Sequence, residues 1–445
     1  MAKPEREGQD PLSQGEPLER HEALRDWMRA TDERARALAV AVELPSAAAP
    51  LIMAMLQEHF HIRERWTLLV VTLAMGSWVA GTLIAELGQR IFAQPGLRGT
   101  VVTPGLNQEE ALRFVEQLSP HYDQTLVIGY PAPLANLLED GEQRGLAWPD
   151  LNVHVITGGE YVSEGQRERI LARIGKDPER LEGFVVLFAS SEVAGALGYE
   201  THLCLLIRRL CARSPALTQA LFGSTIIPPL NQYNPLNYLL QVENDELLLT
   251  TRGAVSLVRY NTHDRGGLLT LDEILARCRA QGFDLVAELR TRGFGPEALQ
   301  PLPFVHVFGR SDAAIVHGAN VYVEQVRQVL DGEGLPAFTT GRFRLEGLTD
   351  PDGRSILRVE VELRAEIEAS AELCASYQQA ILQGLQQVNS EFRVAYEAAR
   401  GRIAVHVALL PFGTFRQTTG KHQYLARDCS SAPLREATNG GHVTG

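Results

Sequence analysis

Thr125-Leu126-Val127-Ile128 is an apolar, β-branched run followed, after Gly129 and Tyr130, by Pro131-Ala132-Pro133, where a helical pattern opens. A strand that ends in a turn and feeds a helix is the repeating unit of an α/β layer architecture. The unit recurs on both sides. Upstream, Val101-Val102 leads through Pro104-Gly105 into a helix from Gln108 to Leu118, and Leu68 to Val71 forms an earlier strand. Downstream, Leu151 to Ile156 is a further strand closed by Gly158-Gly159. Residues 19 to 60 carry long helical patterns with a break at Pro45. The alternation predicts a large N-terminal α/β domain over residues 1–308, with ligands at strand ends followed by Gly and Pro.

A boundary is readable near Phe308, where the strand Phe304 to Phe308 gives way to a Gly-Arg-Ser-Asp turn. Beyond it the pattern is that of a smaller, mobile C-terminal α+β domain over residues 309–429. Its expected elements are strands at 354–363 and 402–410 with a helix from Ala371 to Val394 between them. Gly413 to Gly420 reads as a mobile loop and residues 430–445 as a disordered tail.

The bulk properties narrow the function classes. The 445 residues are 45% apolar and 22% charged, enough for one large core and a second small one. The net charge of -12, without a dense basic run, speaks against a nucleic-acid partner. Cys204, Cys211, Cys278, Cys374 and Cys429 are odd in number and scattered, which disfavours a disulfide framework or a zinc knuckle and fits a reducing cytoplasm. Residues 1 to 36 are dense in Glu, Arg, Asp and Gln, so no signal peptide is expected. The uncharged run Thr67 to Ala85 approaches the ~20 residues of a membrane span. It changes character at Gly76-Ser77, however, and reads as strand, turn and helix, with no membrane association.

Five short stretches carry chemistry. Thr157-Gly158-Gly159-Glu160 follows a strand, and its glycines let backbone approach a flat ligand; a plain strand-to-helix turn is the bland alternative. Val185 to Glu192 runs from a strand into Ser190-Ser191 and a carboxylate. The hydroxyls suit a phosphate and Glu192 suits magnesium, unless a serine merely caps a helix whose dipole Glu192 serves. Val258-Arg259-Tyr260-Asn261-Thr262-His263-Asp264 offers Asp264 at a strand-to-turn position, either to ribose hydroxyls or as a structural ion pair with the nearby Arg. Phe308-Gly309-Arg310-Ser311-Asp312, with Gly318 and Asn320 shortly after, places an Arg within reach of ribose or phosphate and turn residues that can absorb a rotation. Thr418-Thr419-Gly420-Lys421 sets one lysine on a glycine loop, from which it can neutralise charge on a transferring phosphoryl group or simply face solvent. Glu200, His202 and Cys204 have metal-ligand chemistry, but their apolar surroundings favour packing, as do Cys204 and Cys211 two turns apart on one helix face.

In this order, the stretches resemble the sequential motifs of adenylate-forming enzymes from about Trp66 to Tyr424. Val102 to Gly105, Leu197 to Thr201 and Gln232 to Pro235 resemble the phenylacetate-CoA ligase-like branch. The resemblance implies a ligase in which a carboxylic acid, aryl or similarly flat, attacks the α-phosphate of ATP and a thiol then displaces AMP from the acyl-adenylate. The expected cofactors are ATP, Mg2+ and coenzyme A as co-substrate; a carrier-protein thiol or an amine is the other acceptor. Gly158, Gly159 and Glu160 would line the adenine pocket, with Phe188 against the base. Ser190 and Ser191 would touch phosphate, and Glu192 would hold magnesium. Asp264 would bind ribose with Arg310 nearby, Asp312 would be the hinge, and Lys421 would bridge substrate and phosphate. A homodimer is a family expectation.

The departures sit in the phosphate loop. Pro11-Leu12-Ser13-Gln14-Gly15-Glu16-Pro17 keeps Ser13, Gly15 and Pro17 but has Pro11 and Leu12 where a hydroxyl and a glycine belong, so donors of an anion nest are lost. An alternative placement at Glu43 to Pro50 retains no glycine. The lead of several tens of residues usual before the loop is also short, as in a truncated product. The second functional reading is therefore a catalytically impaired or repurposed relative that binds a nucleotide or acyl-adenylate and acts through a partner.

Overall fold

The computed structural model describes residues 48–75, 79–193, 195–251, 256–310, 313–332, 335–350, 354–415 and 425. The phosphate-loop reading at Pro11 to Pro17, the expected hinge Asp312, Lys421 and the tail lie outside them, as does the reading at Glu43 to Pro50 up to Ala47, its last three residues opening a helix at Ala48.

Helix α1 (Ala48–Phe60) precedes β1 (Thr67–Thr72), α2 (Val79–Phe92), β2 (Gly99–Val102), α3 (Gln108–Leu118) and β3 (Gln124–Gly129). Next come α4 (Pro131–Gln143), β4 (Val153–Gly158), α5 (Glu164–Arg173), β5 (Phe184–Ser190) and β6 (Gly195–Tyr199). These strands begin a sheet of order β2-β1-β3-β4-β5-β6, parallel through β5. Side chains alternate across a strand, and the cores follow that parity. Leu69, Val71, Leu126 and Ile128 pack with Met55, Leu56, Leu83 and Leu87 of α1 and α2. Leu68, Val70 and Val127 pack on the other face with Leu112, Leu134, Leu137 and Ile170 of α3, α4 and α5. A sheet covered on both faces requires continuous apolar strands, and β1 and β3 are buried throughout.

The sheet continues after α6 (His202–Arg213) and α7 (Pro215–Phe222) with β7 (Leu230–Tyr233), β8 (Tyr238–Glu243), β9 (Glu246–Thr251) and β10 (Leu257–Leu269). It closes with α8 (Leu271–Ala280), α9 (Leu285–Thr291) and β11 (Phe304–Arg310). Here pairing is antiparallel, in the order β6-β7-β11-β10-β9-β8, giving eleven strands in all. Buried Glu200, between β6 and α6, ties the two halves. It accepts from Arg167 Nη2 at 2.7 and 2.8 Å, Arg208 Nη1 at 2.5 Å and the Val186 amide at 2.9 Å.

Beyond Arg310 the described chain makes the hairpin β12 (Ala313–Val316) and β13 (Ala319–Tyr322), then α10 (Val323–Leu330), β14 (Thr339–Thr349) and β15 (Ser355–Leu363). Helices α11 (Ala371–Val388) and α12 (Ser390–Ala398) and strand β16 (Ile403–Leu410) complete it. This part has its own core, including Phe343, Leu357, Val359, Tyr377, Ile381 and Phe392. The architecture is thus α/β with a smaller C-terminal α+β part.

Two expectations need correction. The single helix expected from Ala371 to Val394 is broken at Asn389, whose extended backbone (φ -124, ψ 104) ends α11 and whose side chain caps α12 by accepting from the Phe392 amide. Asp264 does not stand at a strand end. It lies inside the thirteen-residue β10, which absorbs irregular register between Asn261 and Arg265 and at Arg265/Gly266. Among the described residues no helix is long and apolar enough to cross a membrane, and Thr67 to Ala85 divides between β1 and α2.

Candidate active site

The carboxyl end of the parallel strands opens onto a cavity of about 260 Å3. Its lining draws on stretches far apart in sequence: Gly158, Gly159 and Glu160 after β4, Phe188 and Ser190 on β5, Glu192, Asp264 on β10, and Arg310 on β11. The far end is apolar, built from Leu73, Ala80, Leu83, Ile84 and Ile128. The lining thus combines a polar set with an apolar one, the division expected for an amphipathic small molecule.

Each polar group is placed by local structure. Gly158 ends β4 so close to β5 that a Cβ there would lie 2.7 Å from the Leu187 carbonyl oxygen. Gly159 has φ +80, a conformation costly for any side chain. β5 ends at Ser190, whose hydroxyl donates to Glu192 Oε2 at 2.5 Å, and the Tyr260 hydroxyl donates to Oε1 at 3.4 Å. Ser191 opens the short 3-10 turn Ser191–Val193. A carboxylate and a hydroxyl side by side form an oxygen donor set, the kind magnesium takes, so Glu192 and Ser190 fit that ion.

Asp264 and Arg310 are direct cross-strand partners in the β10/β11 register. Side chains so placed are neighbours. Arg259, the cation of the same motif, is directed elsewhere: its guanidinium donates to Glu243 at 3.0 Å and Gln241 at 3.1 Å on β8. Glu160 reaches across to the C-terminal part, where its Oε1 accepts from the Gly318 amide at the tip of the β12–β13 hairpin. Enclosure pushes its carboxyl up to about 7, against the pull of that hydrogen bond. Gly318 itself has φ +85, and a Cβ there would lie 2.6 Å from the Tyr130 ring. Arg402 pairs with Asp140 through 2.5 and 3.2 Å contacts, a second tie between the two parts.

Of the sequence-predicted residues, the structure brings Gly158, Gly159, Glu160, Phe188, Ser190, Glu192, Asp264 and Arg310 around one cavity. Sequence reasoning missed Tyr130, Asn231 and Thr262, which also line it. Tyr130 stands directly before the proline pair that opens α4, but nothing local marks it as facing Gly159 and Gly318.

Glu200, His202 and Cys204 do not form a ligand set, since Glu200 is spent on two arginines and Cys204 is buried in the α6 core. His202 instead meets Glu58 and His59, with ligand-type atoms within 4.8 Å of one another. Their hydrogen bonds identify the group as a clamp on the start of α6. Glu58 Oε1 accepts from the His202 amide at 3.2 Å, and Oε2 accepts from Tyr199 at 2.7 Å and Gln300 at 3.2 Å. His59 Nε2 donates to the Glu200 carbonyl at 2.8 Å. Burial lowers the His59 imidazole to about 3, keeping it neutral.

No protein-family model matches the chain, and no curated protein matches it. Solved structures do. A 2-hydroxyisobutyryl-CoA ligase in complex with 2-HIB-AMP and CoA, in the thioesterification state, is 15% identical, with 81% of this chain and 64% of that one covered at a TM-score of 0.47. A mutant of an amide bond synthetase from Marinactinospora thermotolerans is 14% identical over 82% of this chain and 62% of its own, at 0.45. ATP-bound MatB from Rhodopseudomonas palustris is 13% identical over 84% and 62%, at 0.34. The chain therefore spans less than two thirds of these proteins, and the superpositions are too loose to carry their substrates over.

Proposed function

We propose that the chain is an adenylate-forming ligase of the phenylacetate-CoA ligase-like branch. It activates a neutral, apolar or aryl carboxylic acid with ATP and passes the acyl group to a thiol, coenzyme A. One observation carries the reading: four stretches singled out for nucleotide chemistry, spread from Thr157 to Arg310, converge on a single cavity with an apolar far end. A chance set of strand-end glycines and acids has no reason to share one wall.

In this reading Gly158 and Gly159 admit the adenine, Phe188 lies against it, and Asp264 accepts the ribose hydroxyls beside Arg310. Ser190 and Ser191 meet phosphate, and Glu192 holds magnesium, which neutralises phosphate charge when bound. The acid's apolar body occupies the slot between α2 and the ends of β1 and β3. Aligning a carboxylate with a phosphorus atom and neutralising charge supply most of the catalysis such a site can offer. Lys421 bridges substrate and phosphate, and Asp312 is the hinge on which residues 309–429 turn against residues 1–308.

ATP–pyrophosphate exchange over a panel of aryl and short aliphatic acids tests the reading, with loss of exchange in Lys421→Ala as the expected second result. AMP binding without exchange for any acid would instead favour the second reading, an impaired relative acting through a partner. The altered loop at Pro11 to Pro17 motivates that alternative.

A further inference from the structure

An open groove of about 1280 Å3 runs between the N-terminal sheet and the C-terminal part, past Phe222, His306, Glu346 and Ser355. It meets the central cavity at a shared wall of Glu160, Tyr161, Phe308, Gly309, Arg310 and Ile315. A nucleophile that moves from the groove into the cavity across this shared wall passes these residues. Glu160 is its one carboxylate among the described residues. Glu192 and Asp264 line the cavity alone, while Glu164, Asp245, Glu346 and Asp350 line the groove alone.

We propose that Glu160 is the catalytic proton acceptor of the transfer half-reaction, taking the S–H or N–H proton of a thiol or amine as it attacks the acyl-adenylate. The inference rests on the adenylate-forming reading. In the step, the sulfur or nitrogen forms a bond to the acyl carbon, and the bond from that carbon to the phosphate oxygen breaks. AMP leaves with the electron pair, and the proton passes to Glu160, then to solvent in the groove. No oxidant or further reactant is required.

Geometry and chemistry agree on this assignment. Oε1 is held by the Gly318 amide, and Oε2 accepts no hydrogen bond among the described residues. Arg310 stays protonated and cannot serve as a base, and the Tyr161 phenol must first lose its own proton. A general base works best when its pKa lies near the operating pH, and enclosure holds Glu160 at about 7. The titratable and charged groups on the elements around it are Tyr130 before α4, Tyr161, Glu164 and Arg169 of α5, Glu192, Asp264 and Arg265 of β10, His306 and Arg310 of β11, and His317. His317 is held near 4 by burial and is neutral at pH 7. The Gly318 contact also ties the base to the β12–β13 hairpin.

The test supplies benzoyl-, phenylacetyl- or butyryl-adenylate directly and follows single-turnover transfer to coenzyme A between pH 5.5 and 9. The wild-type rate is expected to rise through an inflection near 7. Glu160→Gln keeps an oxygen for the Gly318 amide, so the hairpin still docks, but it should lose about 100-fold or more in rate together with the inflection. Glu160→Asp should recover part of both. Hydroxylamine, whose neutral form is nucleophilic enough to attack before its proton is removed, depends less on a base and should trap the adenylate in Glu160→Gln with a much smaller loss. A wild-type rate and pH profile in Glu160→Gln overturns the proposal, as do equal losses with coenzyme A and hydroxylamine, which mark a positioning role. If the wild type transfers from no adenylate to either nucleophile, the adenylate-forming reading falls and takes this assignment with it.

Discussion

Replacing Gly318 by alanine isolates the contact on which closure depends. The residue sits at φ +85, and an alanine in the left-handed region costs about 1–2 kcal/mol. The added Cβ would stand 2.6 Å from one Tyr130 ring atom and 2.8 Å from two others, so the hairpin tip must retreat. Retreat breaks the hydrogen bond that the Gly318 amide donates to Glu160, which for an ionised carboxylate is worth about 1.5–3 kcal/mol. A total of about 3 kcal/mol against the docked arrangement corresponds to roughly 100-fold in its population. The neighbouring Val316 and Ala319 belong to the core of the C-terminal part, so the backbone cost should also register as about 1–2 kcal/mol of global stability. Stopped-flow transfer from a supplied acyl-adenylate to coenzyme A should therefore slow by about two orders of magnitude. Removing the ring as well, in Gly318→Ala with Tyr130→Ala, should return about tenfold by relieving the overlap but not the backbone cost. Transfer at the wild-type rate in Gly318→Ala would refute the claim that the hairpin must dock here.

Glu200→Gln leaves two buried guanidinium groups to share Glu164 as their remaining carboxylate among the described residues, and urea denaturation should register a loss of about 3 kcal/mol; a loss under 1 kcal/mol would show that Glu200 is dispensable. Asp264→Ala should weaken AMP binding by about 10- to 100-fold in calorimetry, the worth of one or two charge-assisted bonds, and unchanged affinity would remove it from the ribose site. Burial lowers His59 and His154 to about 3 and His306 and His317 to about 4. The unfolded chain therefore binds more protons than the folded one below about pH 6.5, so stability rises with pH across this window and is lost as pH falls toward 4. Glu160, raised to about 7, acts in the opposite sense between about 4.5 and 7. Four groups outweigh one, so the urea midpoint should fall steadily from pH 6.5 to 5; a flat midpoint would contradict the burial of these imidazoles.

What the chain alone determines is local. Apolar runs such as Leu68 to Val71 must be buried on both faces, and the caps at Asn107, Ser163, Thr201 and Thr270 mark where helices begin, because each bonds an amide two or three residues ahead. Such signals need no tertiary partner, so the parallel half of the sheet and the positions of the glycine and hydroxyl turns are legible in sequence. The break at Asn389 was legible in principle, but the apolar spacing continues across it and conceals the cap. What only the tertiary structure decided is which groups meet. Asp264 faces Arg310 because β10 and β11 pair antiparallel, and Arg259 is drawn away by Glu243 on β8. Glu160 finds the Gly318 amide across 158 residues, and Tyr130 becomes part of the site because two glycines lack the Cβ atoms that would exclude its ring. Periodicity and caps act within one or two turns of chain, whereas these pairings depend on strand order and on closure of the C-terminal part, which no local pattern encodes.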